Sequence, residues 1–159
     1  MKKSLTGDRD YDLWILLRNT NDTILRVRYK ELNQLGVLGR QAALLLIIQM
    51  IEKRGGKATP AEIARWLFRK PHTISETLNR MEKEELVKKV KDLDRKNLVR
   101  VTVTEKGYQY YKKSAERQSI HRILSCLSRE ERQQLRSSLE KLREEGRREL
   151  GIDQRLPWP

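Results

Sequence analysis

Residues 59–83, TPAEIARWLFRKPHTISETLNRMEK, decide the fold of this chain. Thr59 suits a helix N-cap, Pro60 suits the first helical position, and Glu62 stands at the reciprocal position of a capping box. A short helix therefore begins here, and we expect it to end near Phe68. Its apolar face is formed by Ile63, Ala64 and Leu67.

A second helix follows the tight connection 69–71 at once. Two starts are open for it, because Pro71 fits a first turn and Thr73 with Glu76 forms a second capping box. One apolar stripe runs along this helix at the spacing i, i+4 and i+7, which is typical of a buried helix face. The stripe consists of Ile74, Leu78 and Met81.

The period of the pattern changes after this helix pair. Residues 86–90, LVKKV, and 98–103, LVRVTV, are β-branched and partly alternating, which predicts two strands. The link between them is polar and turn-rich, so the strands form a hairpin with a charged tip. A helix-turn-helix followed by such a hairpin is a winged helix-turn-helix, whose second helix enters the DNA major groove.

The polar side chains of the second helix are the candidate DNA contacts, because the apolar stripe must face the core. Each of them singly is more often just solvated, whereas together they can bond base edges and phosphates. In and before the helix they are Lys70, His72, Thr73, Ser75, Glu76, Asn79 and Arg80. At the hairpin tip, where a wing reaches backbone or minor groove, they are Arg95, Lys96 and Asn97.

The charge is concentrated around this module. Lys and Arg number 35 against 22 Asp and Glu, which gives a formal net charge of +13. Residues 53–117 contain 18 basic and 9 acidic side chains, a net of +9, while the other 94 residues contain 17 and 13, a net of +4. A basic patch can be a solubility surface, but on a winged helix it indicates binding to a nucleic acid.

The segments on either side read as helices. One runs from about Tyr11 to Leu35, and residues 40–53 form a helix that is apolar nearly all round and therefore central. From Glu105 the spacing predicts one long helix that continues to about Leu127. Ser128 with Glu131 is a further capping box, and it begins a last helix. The stripe of that helix is Leu135, Leu139 and Leu142.

The expected fold class is therefore mainly α with a small β-hairpin wing (α+β). The winged helix-turn-helix DNA-binding region occupies residues 39–104. Residues 1–38 and 105–159 form a helical dimerisation region, because the end helices carry apolar side chains, including Trp14 and Trp158, that a single winged helix has no room to bury. A two-fold symmetric dimer predicts a pseudo-palindromic operator with half-sites about one helical turn apart.

The chain resembles the MarR family of transcriptional regulators from about Tyr11 to Leu150. Residues 70–87, KPHTISETLNRMEKEELV, look like the family's recognition helix and first wing strand, and residues 94–107 look like its wing signature of Asp-Arg, strand and Leu-Thr-x-x-Gly. Glu85 replaces the family's usual Gly, Val103 replaces Leu, and the interval 94–104 is one residue longer.

The resemblance implies a homodimer in which the first helix and the last two helices of both chains interleave, and it makes Arg95 the minor-groove residue. Many relatives release DNA when a small aromatic acid binds between the dimer helices and the DNA-binding lobe. Here the pocket candidates are Trp14, Arg18 and Trp66, with His72 as an outside candidate, since an Arg beside aromatic rings suits an anionic ring. The alternatives are core or interface positions for both tryptophans and a surface ion pair for Arg18.

Several other classes of function find no support in the sequence. The longest apolar run, residues 42–48, is far short of the roughly 20 residues of a membrane span, and residues 1–12 contain no apolar segment of a secretory signal. Cys126 is the only cysteine, so no internal disulfide forms, and we expect it to be buried and structural rather than redox-active. No metal-ligand cluster, cofactor loop or catalytic pair is present, so we expect no metal, no cofactor, no enzymatic activity and a cytoplasmic protein.

The sequence therefore predicts a sequence-specific transcriptional regulator, with repression as its expected sign, that binds double-stranded DNA as a homodimer and responds to a small aromatic effector. The alternative is a basic winged-helix protein that binds DNA or RNA without sequence preference. Competitor DNA and salt erode these two kinds of complex differently.

Overall fold

A computed structural model describes residues 4–91 and 98–152, which form two compact units with their boundary between Arg117 and Gln118. The first unit contains five helices and a two-stranded antiparallel sheet, and the second contains two helices. The predicted fold class is confirmed. In chain order the elements are α1 (Arg9–Gln34), α2 (Gly39–Lys53), α3 (Pro60–Trp66), α4 (Pro71–Lys83), β1 (Val87–Lys91), β2 (Val99–Val103), α5 (Glu105–Ser114), α6 (Gln118–Leu124) and α7 (Arg129–Glu149).

The core of the first unit is built around α2, as its all-round apolar sequence predicts. The helices α3 and α5 and the strand β2 pack on it, and α4 packs against α3 and β1. The hairpin register pairs Val87 with Val103. The backbone N–H of Val101 also donates to the carbonyl of Ala58 at 2.8 Å, which ties β2 to the loop before α3. The larger apolar side chains of this core with almost no exposure are Val37, Leu45, Ile47, Ile48, Ile63, Leu78, Met81, Val87 and Val101.

The two helices of the helix-turn-helix begin at prolines. The Thr59 hydroxyl caps α3 by accepting a bond from the Glu62 backbone N–H at 3.1 Å. The Glu62 carboxylate, which the capping-box prediction pairs with the Thr59 backbone N–H, instead accepts from the Trp66 indole at 2.9 Å. Of the two possible starts for α4, the structure takes Pro71, and its N-cap Lys70 makes no side-chain cap bond.

The joint between α4 and β1 explains two signature positions. Glu85, which stands where the resembled family has Gly, adopts φ +61, a conformation that glycine adopts without strain. Its carbonyl accepts a bond from the Thr104 hydroxyl at 2.6 Å, which holds the turn in place. Gly107 packs so closely that a Cβ there would lie 1.9 Å from the Leu86 carbonyl oxygen. The first turn of α5 therefore contacts the backbone of Leu86, the residue just before β1.

The single long helix predicted from Glu105 is wrong. The structure ends α5 at Ser114, whose hydroxyl bonds back to the Tyr111 carbonyl at 2.6 Å, and Arg117 adopts φ +53 before α6 begins. Apolar spacing continues across this break, so periodicity alone did not reveal it. A residue with left-handed backbone angles cannot lie within a right-handed helix, so Arg117 separates α5 from α6.

The second unit follows its sequence pattern more closely. The capping box at the start of α7 is complete, with the Glu131 backbone N–H bonded to the Ser128 hydroxyl at 3.2 Å and the Ser128 N–H bonded to the Glu131 carboxylate at 2.8 Å. The Leu135, Leu139 and Leu142 side chains on this helix are all exposed.

No single helix within the described residues combines the length and the apolarity needed to cross a membrane. Only α1 and α2 taken together satisfy those two criteria, and they are bent by 93° at their junction.

Candidate nucleic-acid interface

The candidate interface is the outward face of α4. This face is exposed to solvent because the opposite face of the helix is buried in the core. Ile74, Leu78 and Met81 are 4%, 0% and 0% exposed, so the side chains half a helix turn away from them face solvent. Of the predicted contacts, Ser75 is half-buried and the others are exposed: Lys70, His72, Thr73, Glu76, Asn79 and Arg80.

The first turns of this face carry both charge signs. The His72 imidazole lies 3.4 Å from the Glu76 carboxylate, and both side chains are exposed, at 80% and 55%. A carboxylate is an acceptor only, which in the major groove matches the amino group of cytosine, while it is repelled by phosphates. Lys83, which the sequence reasoning did not select, lies exposed on the same side, nine residues and hence half a helix turn round from Ile74.

A three-residue cluster joins the second half of α4 to the wing strand. The Lys89 ammonium on β1 donates to the side-chain oxygen of Asn79 and lies 2.9 Å from the Glu82 carboxylate. The other oxygen of Glu82 accepts from the Lys89 backbone N–H at 3.1 Å. Hydrogen bonding to Lys89 lowers the pKa of Glu82 below its ordinary value.

Sequence reasoning missed Glu82 and Lys89, although a signal for the lysine was present. Side chains alternate along a strand, so Lys89 points to the same side of β1 as Val87, which is buried. That side packs against α4, and the pairing follows once the strand is placed there.

A second polar network connects the C-terminal end of α4 to α2 and α5. The Tyr110 hydroxyl accepts from the Leu38 backbone N–H at 2.6 Å and donates to the Gln41 side-chain oxygen at 2.7 Å. The Gln41 amide, 5% exposed, then donates to the Glu84 carboxylate at 2.6 Å. Buried polar groups with satisfied bonds of this kind fix geometry, so α2 and α5 set the position of the C-terminal end of α4.

The wing tip predicted to contact DNA, Arg95, Lys96 and Asn97, lies outside the described residues, as does Trp158. The described parts of the hairpin nevertheless carry exposed Lys88 and Lys91 on β1. Positive charge therefore continues from α4 along the wing strand.

The three predicted effector-pocket residues fall in two different environments. Trp14 is 49% exposed on α1, stacks on Tyr11 with ring centroids 5.3 Å apart, and lies 5.7 Å from the Arg18 guanidinium. Trp66 is 2% exposed within the winged helix, with the Arg54 guanidinium 5.4 Å from its ring. Trp14 and Arg18 thus form an exposed aromatic–cation pair, while Trp66 is a core side chain.

Cys126 lies in the short connection before α7 and is exposed, so the expectation of a buried structural cysteine is wrong. The turn 125–127 between two helices has no core to receive it. Within residues 4–91 and 98–152, no three His, Cys, Asp or Glu side chains come together as a metal site.

Comparisons with known proteins agree with this geometry. Residues 37–107 match the family profile described as a winged helix DNA-binding domain. A search of curated protein sequences gave no match. Among solved structures, the ligand-free organohalide-sensing RdhR transcriptional regulator is 28% identical, with a TM-score of 0.75, over 91% of this chain and 86% of that one.

Two further structures share the fold at lower identity. A mutant MarR from Escherichia coli, complexed with operator DNA, is 19% identical over 88% of this chain and 99% of that one, with a TM-score of 0.75. The Staphylococcus aureus MepR–DNA complex is 22% identical over 89% and 99%, with a TM-score of 0.73. Residues 37–107 therefore form a winged helix DNA-binding domain, and the chain as a whole has the fold of the MarR, MepR and RdhR structures.

Proposed function

We propose that this protein is a sequence-specific repressor that binds a pseudo-palindromic operator as a homodimer. The observation that carries the proposal is the division of α4 into a fully buried stripe and an outward face of exposed polar side chains. Helices of this kind enter the major groove, where amide, carboxylate and cationic groups discriminate base edges. Residues 39–104 bind DNA in this proposal, and residues 1–38 and 105–159 form the dimer.

The homodimer is supported by apolar side chains that the single chain leaves uncovered. On α1, Leu13 and Leu16 are 59% and 62% exposed, and on α7 Leu142 is 54% exposed. Helix faces of this kind are unfavourable in water, and a second copy covers them with two-fold symmetry. Two similar structures were solved with DNA, one of them with operator DNA, which is consistent with the same partner here.

Release by a small aromatic anion is supported by the Trp14–Arg18 pair on α1. An aromatic ring and a guanidinium, both within reach of solvent, provide stacking and charge for such a molecule. The organohalide-sensing neighbour was also solved with 2,4-dichlorophenol bound. We therefore place the effector at the surface of α1 and leave Trp66 in the core.

The test is an affinity selection of the full-length protein on fragmented genomic DNA, at about 50 mM and about 200 mM salt. We expect a few fragments that share an inverted repeat and survive the higher salt. Uniform recovery that collapses with salt would instead identify a basic winged-helix protein without sequence preference.

A matched pair of variants separates the α4 face from general charge. Arg80→Ala removes an exposed cation of α4, and Arg148→Ala removes one from α7, where Arg148 pairs with Glu145 at 2.6 Å. We expect the first to weaken operator binding about tenfold and the second to leave it nearly unchanged. Equal losses from both variants would contradict the assignment of α4.

A further inference from the structure

Lys89 links the wing strand to Asn79, an exposed amide side chain of α4 of a kind that can read a base edge. Its ammonium donates to the Asn79 side-chain oxygen while it also pairs with Glu82 at 2.9 Å. Asn79 itself is exposed, whereas the Lys89 side chain is only 28% exposed. The lysine therefore sits behind Asn79, against the helix, rather than at the solvent edge.

This contact determines which way the Asn79 amide faces. An ammonium group has three donors and no acceptor, so only the carbonyl end of the amide can face it. The amide NH₂ is then the end directed away from Lys89. The usual ambiguity between the oxygen and nitrogen of an asparagine side chain is resolved here by the chemistry of its neighbour.

The lysine is not free to turn away from Asn79. Glu82 binds it twice, through the ammonium and through its backbone N–H at 3.1 Å, and Lys89 is paired with Val101 in the middle of the sheet. Glu82, Lys89 and Asn79 thus act as one preorganised unit that spans α4 and β1.

We propose that Lys89 is a specificity-determining residue, which orients Asn79 so that it presents amide donors to the major groove and reads guanine. This inference rests on the proposed sequence-specific function. An asparagine that reads adenine uses its oxygen for N6–H and its NH₂ for N7 at the same time. Guanine offers two acceptors, N7 and O6, on the same edge, which match an amide whose oxygen is already engaged.

The experiment measures base preference rather than affinity alone. Full-length wild-type protein selects from a duplex DNA pool with a randomised core, alongside Lys89→Met, Asn79→Ala and the double variant. We expect the wild type to favour guanine over adenine about tenfold at one position of each half-site. Lys89→Met frees the amide oxygen and should move that preference toward adenine, whereas Asn79→Ala and the double variant should both show none.

Three further variants complete the experiment, two as controls and one as a second test. Lys88→Met removes the neighbouring exposed lysine of β1, so it should lower affinity for all sequences while guanine stays preferred. Lys89→Arg keeps a donor-only side chain and should keep guanine. Glu82→Gln loosens the anchor of Lys89 and should weaken the guanine preference, which provides a test even if Lys89→Met does not fold.

The outcomes separate this inference from the function on which it rests. An unchanged ranking of bases in Asn79→Ala would overturn the inference and leave the proposed sequence-specific binding in place, whereas a wild-type protein without any base preference would contradict the proposed function itself. A flat profile in Asn79→Ala combined with an unaltered guanine preference in both Lys89→Met and Glu82→Gln would overturn the inference alone. A uniform loss of affinity in Lys89→Met, with ranking intact, would make Lys89 a phosphate contact and overturn it as well.

Discussion

Two helices of this molecule, α4 and α7, each carry three apolar side chains at the same spacing, but these side chains are buried on α4 and exposed on α7. On α4 the residues at i, i+4 and i+7 are Ile74, Leu78 and Met81, with exposures of 4%, 0% and 0%. On α7 the residues at the same spacing are Leu135, Leu139 and Leu142, with exposures of 42%, 42% and 54%. Identical spacing therefore predicts an apolar face in both helices, but not what covers it.

The difference comes from what each unit can supply. The α4 stripe meets a core made from several other elements of the first unit, whereas residues 118–152 contain two helices and too little apolar surface to bury the α7 stripe. A groove of about 390 Å³ is left on the second unit. It is lined by Leu124, Arg132, Leu135, Arg136, Leu139, Glu140 and Arg143.

The largest expected effect comes from breaking the covered stripe. Leu78→Ala removes a side chain with 0% exposure and should lower the free energy of unfolding by about 3 kcal/mol, through lost burial and a residual cavity. Urea unfolding followed by circular dichroism measures it. Leu5→Ala, at a leucine that is 94% exposed, is the control with the same chemical change and should cost almost nothing. Comparable losses would contradict the assigned core.

The uncovered stripe should respond in association rather than in folding. Leu139→Asp places a charge in the proposed dimer interface and should weaken self-association about 100-fold, which corresponds to about 2.7 kcal/mol. Light scattering across a dilution series measures the mass. Ser137→Asp adds the same charge on the opposite face of α7 and should leave the dimer intact. A wild-type protein that is monomeric at micromolar concentration would contradict the dimer itself.

A smaller change sharpens the comparison by weakening α7 without touching its stripe. Ser128→Ala removes the cap that accepts from Glu131 N–H and should cost about 1 kcal/mol of stability. Thermal unfolding reports the loss. Ser137→Ala, within the same helix, removes a hydroxyl that caps nothing and is expected to be neutral or slightly stabilising. Equal destabilisation by both variants would argue against the capping role.

The smallest expected effect is a pH dependence on the α4 side. Because Lys89 lowers the pKa of Glu82, the stabilisation from this carboxylate is present above the unfolded-state pKa of about 4.3 and is lost as pH falls through the folded-state pKa. The stability difference between wild type and Glu82→Gln should be constant above about pH 5 and shrink below about pH 4. It is modest, since Glu82 is 39% exposed and solvent screens the pair. A difference that grows toward acid would contradict the pairing.

The sequence predicted what is local and missed what depends on placement. Three features follow from residues close together in sequence, and the structure contains all of them: the proline start of α3, the capping box at Ser128 and the apolar stripe of α4. The break at Arg117 was missed because a left-handed non-glycine residue leaves no compositional mark. The pairing of Lys89 with Asn79 was missed because it requires knowing where β1 lies against α4.

The same division holds for the candidate site as a whole. Side chains on the outward face of α4 follow from helix geometry, so their exposure could be anticipated from the buried stripe. Their mutual bonds, such as the orientation of Asn79, arise from tertiary neighbours. Trp66 illustrates this limit of sequence-based prediction. An aromatic residue beside a turn fits a ligand pocket and a hydrophobic core equally well, and the structure shows Trp66 buried in the core.

The Tyr110 hydroxyl has a consequence for hydrogen exchange. The Leu38 side chain is 58% exposed, yet its amide proton is held by Tyr110 at 2.6 Å rather than by water. That proton exchanges with solvent only when α5 lifts from the start of α2. The exchange rate of the Leu38 amide thus reports how often this junction opens, on the timescale of minutes to hours. Bound DNA should slow this exchange where α4 and α5 move together.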